Sequence, residues 1–192
     1  QTAAGDDMTA IEWLVLAREG KKALLISRYG LDAQGYHSTC GIAITWQTCS
    51  LRRWPNSTFL NKAFTATEQS AILVTTVDNS KYQGYSGYST DGGNNTEDKV
   101  FLLSYAEANK YLGITDGGYN KKLDVEATAY AKERGAHTSD DNRIWWWLRS
   151  PGAVKGEAIE AWPGGDISSL YVSHPSCAIR PALWVNLESG IF

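Results

Sequence analysis

Cys177 is the first residue in this chain to raise the question of chemistry, because a thiol becomes a nucleophile only as the thiolate, and that requires a nearby cation or base. The sequence identifies no such neighbour. Together with Cys40 and Cys49 it makes three cysteines, too few and too widely spaced for a disulfide scaffold or a CxxC metal site. Three buried free thiols are the plain expectation, since free cysteine behaves as a small core hydrophobe; one pair plus an odd thiol is the alternative. His37, His137 and His174 lie far apart and belong to no HxxxH or HExxH arrangement, whereas zinc needs three or four converging ligands. Asp6-Asp7 and Asp140-Asp141-Asn142 are oxygen-rich, the second enough to suggest calcium, but they lack the spacing of an EF-hand loop and read as solvated turns. GxSxG, Walker and GxGxxG motifs are absent. The expectation is therefore a protein without cofactor or metal, and not an enzyme, with a Cys177-centred activity as the competing class.

Recognition is better supplied. From Ala158 to Val172, the residues Ala158, Ile159, Ile167, Leu170 and Val172 can anchor short strands inward, and Gly164-Gly165 supplies a turn that glycines accept most easily. The side chains left to face outward are Val154, Lys155, Glu157, Glu160, Trp162, Asp166, Ser168, Ser169, Tyr171, Ser173, His174 and Pro175. Trp162 and Tyr171 are the types that contribute binding energy at low entropic cost, and the Ser, Asp and His residues around them offer adaptable hydrogen bonds. Trp162 as an ordinary core residue is the competing reading.

This stretch is enclosed by two apolar ends, Trp145-Trp146-Trp147-Leu148-Arg149-Ser150-Pro151-Gly152 and Ile179-Arg180-Pro181-Ala182-Leu183-Trp184-Val185, which read as framework. Upstream, Ile11–Leu16 and Lys22–Ser27 flank Arg18-Glu19-Gly20-Lys21 and predict a β-hairpin. Residues 28–45 carry glycines without a period and read as loop with short extended pieces. Thr48–Trp54 predicts two helical turns stopped by Pro55. Thr65 and Ser104 each stand three residues before a Glu, the capping-box spacing, and the helix opened by Ser104 should run through Leu112 and end at Gly113. Ile72–Val77 and Val100–Leu103 are strand-like. Residues 78–98 form a long polar loop in which Tyr82, Tyr85 and Tyr88 either make an aromatic patch or pack locally and hold the loop down. Asp124–Arg134, acidic at its start and basic at its end with Gly135 beyond, is the best helical pattern. Asn56 and Asn94 match the N-glycosylation pattern.

With 192 residues, of which 43% are hydrophobic and 20% charged, the chain can bury a substantial core, and residues 1–192 are expected to form one α+β domain. Eighteen Gly and five Pro favour many turns over long helices. A net charge of −3 with scattered Lys and Arg disfavours nucleic acid as a partner. No apolar run approaches the roughly 18 to 20 residues of a membrane span, so direct membrane insertion is not expected. The first residues lack an apolar signal core and run straight into a strand, which fits an upstream segment, such as a signal peptide, that has been removed or left out. The cysteine count does not set the compartment; the inclination is toward an extracytoplasmic or cell-surface location.

Several motifs together carry a resemblance: Ile11–Leu16, Thr45-Trp46-Gln47-Thr48-Cys49-Ser50-Leu51-Arg52-Arg53-Trp54, Asp98-Lys99-Val100-Phe101-Leu102-Leu103-Ser104, Trp146-Trp147-Leu148-Arg149-Ser150-Pro151-Gly152 and Ile179-Arg180-Pro181-Ala182-Leu183-Trp184. The chain resembles an uncharacterised bacterial domain family, abundant in gut bacteria, whose fold looks like the C-type-lectin type in its formylglycine-generating-enzyme branch. Within that class it is similar to the variable proteins of diversity-generating retroelements, which display mutated residues on a fixed scaffold. The resemblance implies a ligand-binding protein whose recognition segment lies at 153–178, with a protein or glycan partner. Mutation of template adenines in AAC-type codons would permit diversification at Val154, Asp166, Ser168, Ser169, Tyr171, Ser173, His174 and Pro175. Lys155, Glu157, Glu160 and Trp162 would need other template codons. The enzyme branch uses a cysteine pair near the C-terminus where this chain has only Cys177, and the EPN, QPD and WND motifs of calcium-dependent sugar binding are missing. A structural module of a larger surface protein is the third possibility.

Overall fold

The computed structural model describes residues 10–39 and 41–191. Strand β1 (Trp13–Glu19) turns at Gly20 into β2 (Lys22–Ser27), the expected hairpin, with a bulge where the register shifts between Val15 and Ala17. A two-residue strand, β3 (Asp32–Ala33), follows. The helix expected over 48–54 is displaced: the chain winds helically only from Arg53, then runs on through Pro55 as a wide turn to Phe59 and as α1 (Leu60–Ala63). The physical reason is position, because a proline in the first turn has no hydrogen bond to lose, so Pro55 sits within the first turn instead of stopping the helix. Helix α2 (Ala66–Ala71) carries the Thr65 capping box in full. The strand-like run after it pairs only as β4 (Thr75–Val77), against β5 (Thr96–Asp98), and Ile72 makes a single bridge to Val185.

Strand β6 (Val100–Phe101) leads to α3 (Tyr105–Leu112), which has the Ser104 capping box and a left-handed Gly113 at its C-terminus, as its sequence predicts. The pattern over 124–134 is helical only in α4 (Ala129–Glu133). Burial overrides propensity before it: Val125 and Ala127 are buried, Glu126 bridges to Arg143, and the Thr128 side chain caps the helix by accepting from the Ala131 amide. The remaining strands are β7 (Trp146–Pro151), β8 (Glu157–Ala161), β9 (Ile167–Tyr171), β10 (Ala178–Ile179) and β11 (Ala182–Asn186). The class is α+β.

Two larger sheets run β1-β2-β11-β6 and β3-β10-β7-β8-β9. The strands nearest the two ends, β1 and β11, do not pair with each other; they flank β2 on either side, Lys22 to Ser27 of β2 lying along β11. Almost every residue of β2 and β11 is buried, without alternation, because both faces of this sheet are covered. Leu24, Ile26, Ala182 and Trp184 join the main core with Trp46, Phe101, Trp146 and Trp147. Ala23, Leu25, Leu183 and Val185 face a second cluster built from Phe59, Leu60, Phe64 and Ile72.

The β2–β3 and β10–β11 connections cross between the two sheets side by side. Arg180 fixes the crossing: its guanidinium lies over the Trp146 ring, 4.6 Å from the centroid, and donates twice to the Ser27 carbonyl. Burial alone pushes its pKa down to about 9. The framework reading holds for Trp146–Leu148 and Ile179–Val185, which are all buried, but not in full for Trp145, which is half-buried.

Two further polar hubs tie the motifs together. The Asp98 carboxylate, buried, accepts from Trp46 Nε1, Arg52 Nε, Asn56 Nδ2 and Thr96 Oγ1. Asn56 is committed through both ends of its amide, also donating to the Val100 carbonyl and accepting from the Lys99 amide, which removes it as an accessible glycosylation site. Buried Arg149 donates to the carbonyls of Leu102 and Asp78, to Asn79 Oδ1 and to both oxygens of Glu107. The 78–98 segment is thereby pinned at its start. Tyr85 and Tyr88 pack edge-on against each other and Tyr85 does the same against Tyr105, while Tyr82 stands exposed. Among the described residues no helix is long and apolar enough to cross a membrane.

Candidate functional site

The β8–β9 hairpin is the element that presents the segment singled out in the sequence. Its register is regular, from Glu157↔Tyr171 to Ala161↔Ile167. The turn at Gly164-Gly165 has φ of +80° and +87°, a left-handed backbone that glycine alone adopts without cost. A strap from residue 115 to 123 crosses this turn through main-chain bonds, Thr115 N to Gly165 O at 2.9 Å and Asn120 N to Gly164 O at 2.7 Å. Tyr119 lies so close over Gly164 that a Cβ there would sit 2.3 Å from its ring.

Alternation sorts the hairpin's side chains. One face carries Ala158, Glu160, Trp162, Ser168 and Leu170; the other carries Glu157, Ile159, Ala161, Ile167, Ser169 and Tyr171. The two expected aromatic anchors therefore stand on opposite faces and at opposite ends, about 17 Å apart at the usual strand rise. A single patch containing both Trp162 and Tyr171 is not formed by this chain.

Around Trp162 the structure assembles neighbours that the sequence gave no reason to group. Its ring is 41% exposed and meets Trp145 edge to face at 6.0 Å, and Trp145 in turn packs against exposed His137 at 4.3 Å. The indole N–H donates to Glu160 Oε1 at 2.9 Å, and the other oxygen of Glu160 accepts from the Cys177 thiol at 3.1 Å. Glu160, expected to face solvent, is instead only 6% exposed, because it shares the sheet face that closes over Cys177 and Trp147 and is held there by two donors. An exposed tryptophan is thus locked in orientation from beneath.

Glu157 and Ser169 are also less open than expected. Both are half-buried and bonded to each other, and Ser169 Oγ accepts from the Ala153 amide as the chain bends over the hairpin. Asp166 is half-buried and spends one carboxylate oxygen on the amides of Ile167 and Gly117. Ser168 and Ser173 are half-buried, whereas Val154, Lys155, Tyr171, His174 and Pro175 are exposed. The 78–98 segment also touches this region, with Thr90 Oγ1 donating to the Gly152 carbonyl.

The residues proposed for other chemistry are dispersed or occupied. Cys177 and Cys49 are buried free thiols; Cys40 lies outside the described residues, as does the Asp6-Asp7 pair. Burial and then the Glu160 carboxylate push the Cys177 thiol far up, away from the thiolate. Arg143 pairs with Asp141 at 3.2 Å and with Asp124 at 3.5 Å, so a cation already stands among the oxygens of that acidic turn. His37 Nδ1 accepts from the Ser50 amide, and among the described residues no group of three or more His, Cys, Asp or Glu side chains could hold a metal ion.

No curated protein and no solved structure matches the chain. Residues 20–187, which contain both large sheets except strand β1, match the model of a family described as Domain of unknown function (DUF6273), and the chain belongs to that family.

Proposed function

We propose that this protein is a non-enzymatic ligand-binding domain that uses a C-type-lectin-like scaffold to display the surface of residues 153–178. The observation that carries the proposal is the Trp162–Trp145–His137 row. An aromatic ring held by a buried carboxylate and left open on one side is preorganised to bind, with little side-chain entropy left to lose. The sharing of one sheet by the N-terminal hairpin and β11, joined through β2, supports the scaffold, since that fold brings its two terminal segments together. The Cys177 alternative is disfavoured by the thiol's own surroundings: a buried S–H donating to a carboxylate is the reverse of an activated nucleophile.

Diversification by a retroelement is consistent with the exposure of Val154, Tyr171, His174 and Pro175. It fits less well at Asp166 and Ser169, whose side chains hold local structure. The ligand is a protein or a glycan.

The test compares the intact chain with Trp162→Ala on a glycan array and on a display library of surface proteins. The variant should stay folded but lose affinity at least tenfold for whatever the wild type captures. Equal capture by the two proteins would move the site away from the aromatic row. Sequencing downstream of the gene for a reverse transcriptase and a near-copy of the segment coding for 145–187, differing only at adenines, tests the diversification separately.

A further inference from the structure

The end of the hairpin that carries Tyr171 has its own geometry. Strand β9 is the outermost strand of the five-stranded sheet. The bonds Trp162 N to Asp166 O and Val172 N to Gly156 O show that even-numbered residues of β9 turn their backbone groups toward β8. The amides and carbonyls of Ile167, Ser169 and Tyr171 therefore point outward. Two of these groups are closed within the chain, the Ile167 amide by Asp166 Oδ1 at 2.8 Å and the Tyr171 carbonyl by the His174 amide at 2.9 Å. The Ile167 carbonyl, both backbone groups of Ser169 and the Tyr171 amide have no partner among the described residues.

Open edges are normally blunted by charge, proline or bulges. The edge of the other sheet follows this rule: β1 is bulged between Val15 and Ala17 and ends in Arg18 and Glu19. β9 reads Ile167-Ser168-Ser169-Leu170-Tyr171, uncharged, without proline and in unbroken register.

We infer that β9 is a pairing edge for a second copy of this chain. Two β9 strands running antiparallel about a two-fold axis at Ser169 would join the two sheets into one. The open groups are self-complementary under that axis. Each Ser169 amide meets the other copy's Ser169 carbonyl, and each Tyr171 amide meets the other copy's Ile167 carbonyl, while the two groups closed internally need nothing. The same axis sets Tyr171, 61% exposed, at the seam opposite Ile167 of the second copy, whose side chain stays in its own core at 6% exposure, so the backbone groups rather than a side-chain pair carry the contact. Self-association is isologous, as most homodimers are, and leaves both Trp162 ends free. It does not depend on the ligand proposal, and its failure would leave that proposal standing.

Sedimentation equilibrium of the chain from about 1 μM to about 1 mM tests the pairing. The wild type should show a monomer–dimer equilibrium; Tyr171→Lys should weaken it at least tenfold, and Val74→Lys, an exposed site just before β4, should not. Hydrogen exchange at the Ser169 and Tyr171 amides should slow as concentration rises. A monomer throughout the range overturns the inference, as does a dimer indifferent to Tyr171→Lys whose Ser169 amide still exchanges freely. An edge that becomes protected only when a foreign peptide is added overturns it as well.

Discussion

Replacing Arg149 with Met removes a buried guanidinium while keeping an unbranched side chain of comparable reach. The wild-type group serves the carbonyls of Leu102 and Asp78 at 2.8 and 2.9 Å, Asn79 Oδ1 at 3.2 Å and both oxygens of Glu107. Removing one partner of a buried ion pair costs about 3–5 kcal/mol, because the other partner is left without compensation. Glu107 softens this, since its side chain keeps 27% exposure and one oxygen still accepts from the Ser104 amide. The stranded carbonyls add to the cost, by about 1 kcal/mol or more each where water does not reach them. A net loss of about 4 kcal/mol follows, which for a chain of this size lowers Tm by about 8–16 °C. Thermal unfolding followed by circular dichroism measures it. Arg149 joins the 78–84 segment to the start of α3, so hydrogen exchange in the variant should accelerate there before it does in β2 and β11. A fall in Tm below about 3 °C, or loosening spread evenly over the chain, would refute the assignment of Arg149 as the clamp.

Three other outcomes are expected. Gly164→Ala should cost about 2 kcal/mol, from the left-handed φ of +80° and the Tyr119 ring 2.3 Å from the new Cβ, and urea unfolding reads it directly. Cys177 should resist iodoacetamide in the native protein at pH 8 and react on unfolding, as followed by mass spectrometry; rapid native labelling would contradict the buried thiol–carboxylate contact. Asp32 has its pKa raised, chiefly by burial, against the opposing Ala33 amide and Arg134. Its proton is held more tightly in the folded chain, so stability from this group is complete below its unfolded pKa and is lost as pH rises through the folded one. Wild type should therefore gain on Asp32→Asn as pH falls from 7 toward 4, and a Tm difference independent of pH would count against it.

Local signals in this sequence were dependable where a short stretch decides its own conformation. The Thr65 and Ser104 capping boxes, the Gly113 stop, the first hairpin and the Gly164-Gly165 turn all form as their residues dictate. The misreadings arose where long-range packing decides. Pro55 reads as a stop until the chain's path makes it a first turn, and Val125 and Ala127 leave a good helical pattern because the core needs them extended. Within the candidate site, the exposure of Trp162 and Tyr171 is legible from the apolar residues around them that take the inward positions, although for Trp162 the core reading competes until the structure decides it. Their placement on opposite faces follows from strand alternation that could have been counted from Gly164. Glu160 was not legible as buried, because its partners are Trp162, two residues on, and Cys177, which reaches it through a neighbouring strand. His137 and Trp145 joined the site with no sequence signal beyond Trp145's place at the head of the tryptophan run.

The strap over the hairpin turn holds it through carbonyls and amides, Thr115 to Gly165 and Asn120 to Gly164. Main-chain atoms are the same whatever side chain they carry. Apart from the two glycines and Asp166, whose carboxylate accepts from the strap's Gly117 amide, the tip of the hairpin is therefore held independently of side-chain identity, while Val154, Lys155 and His174 stand exposed at the opposite end. Substitutions should therefore be tolerated best at these exposed positions and least where Asp98, Arg149 and Arg180 bind the interior together.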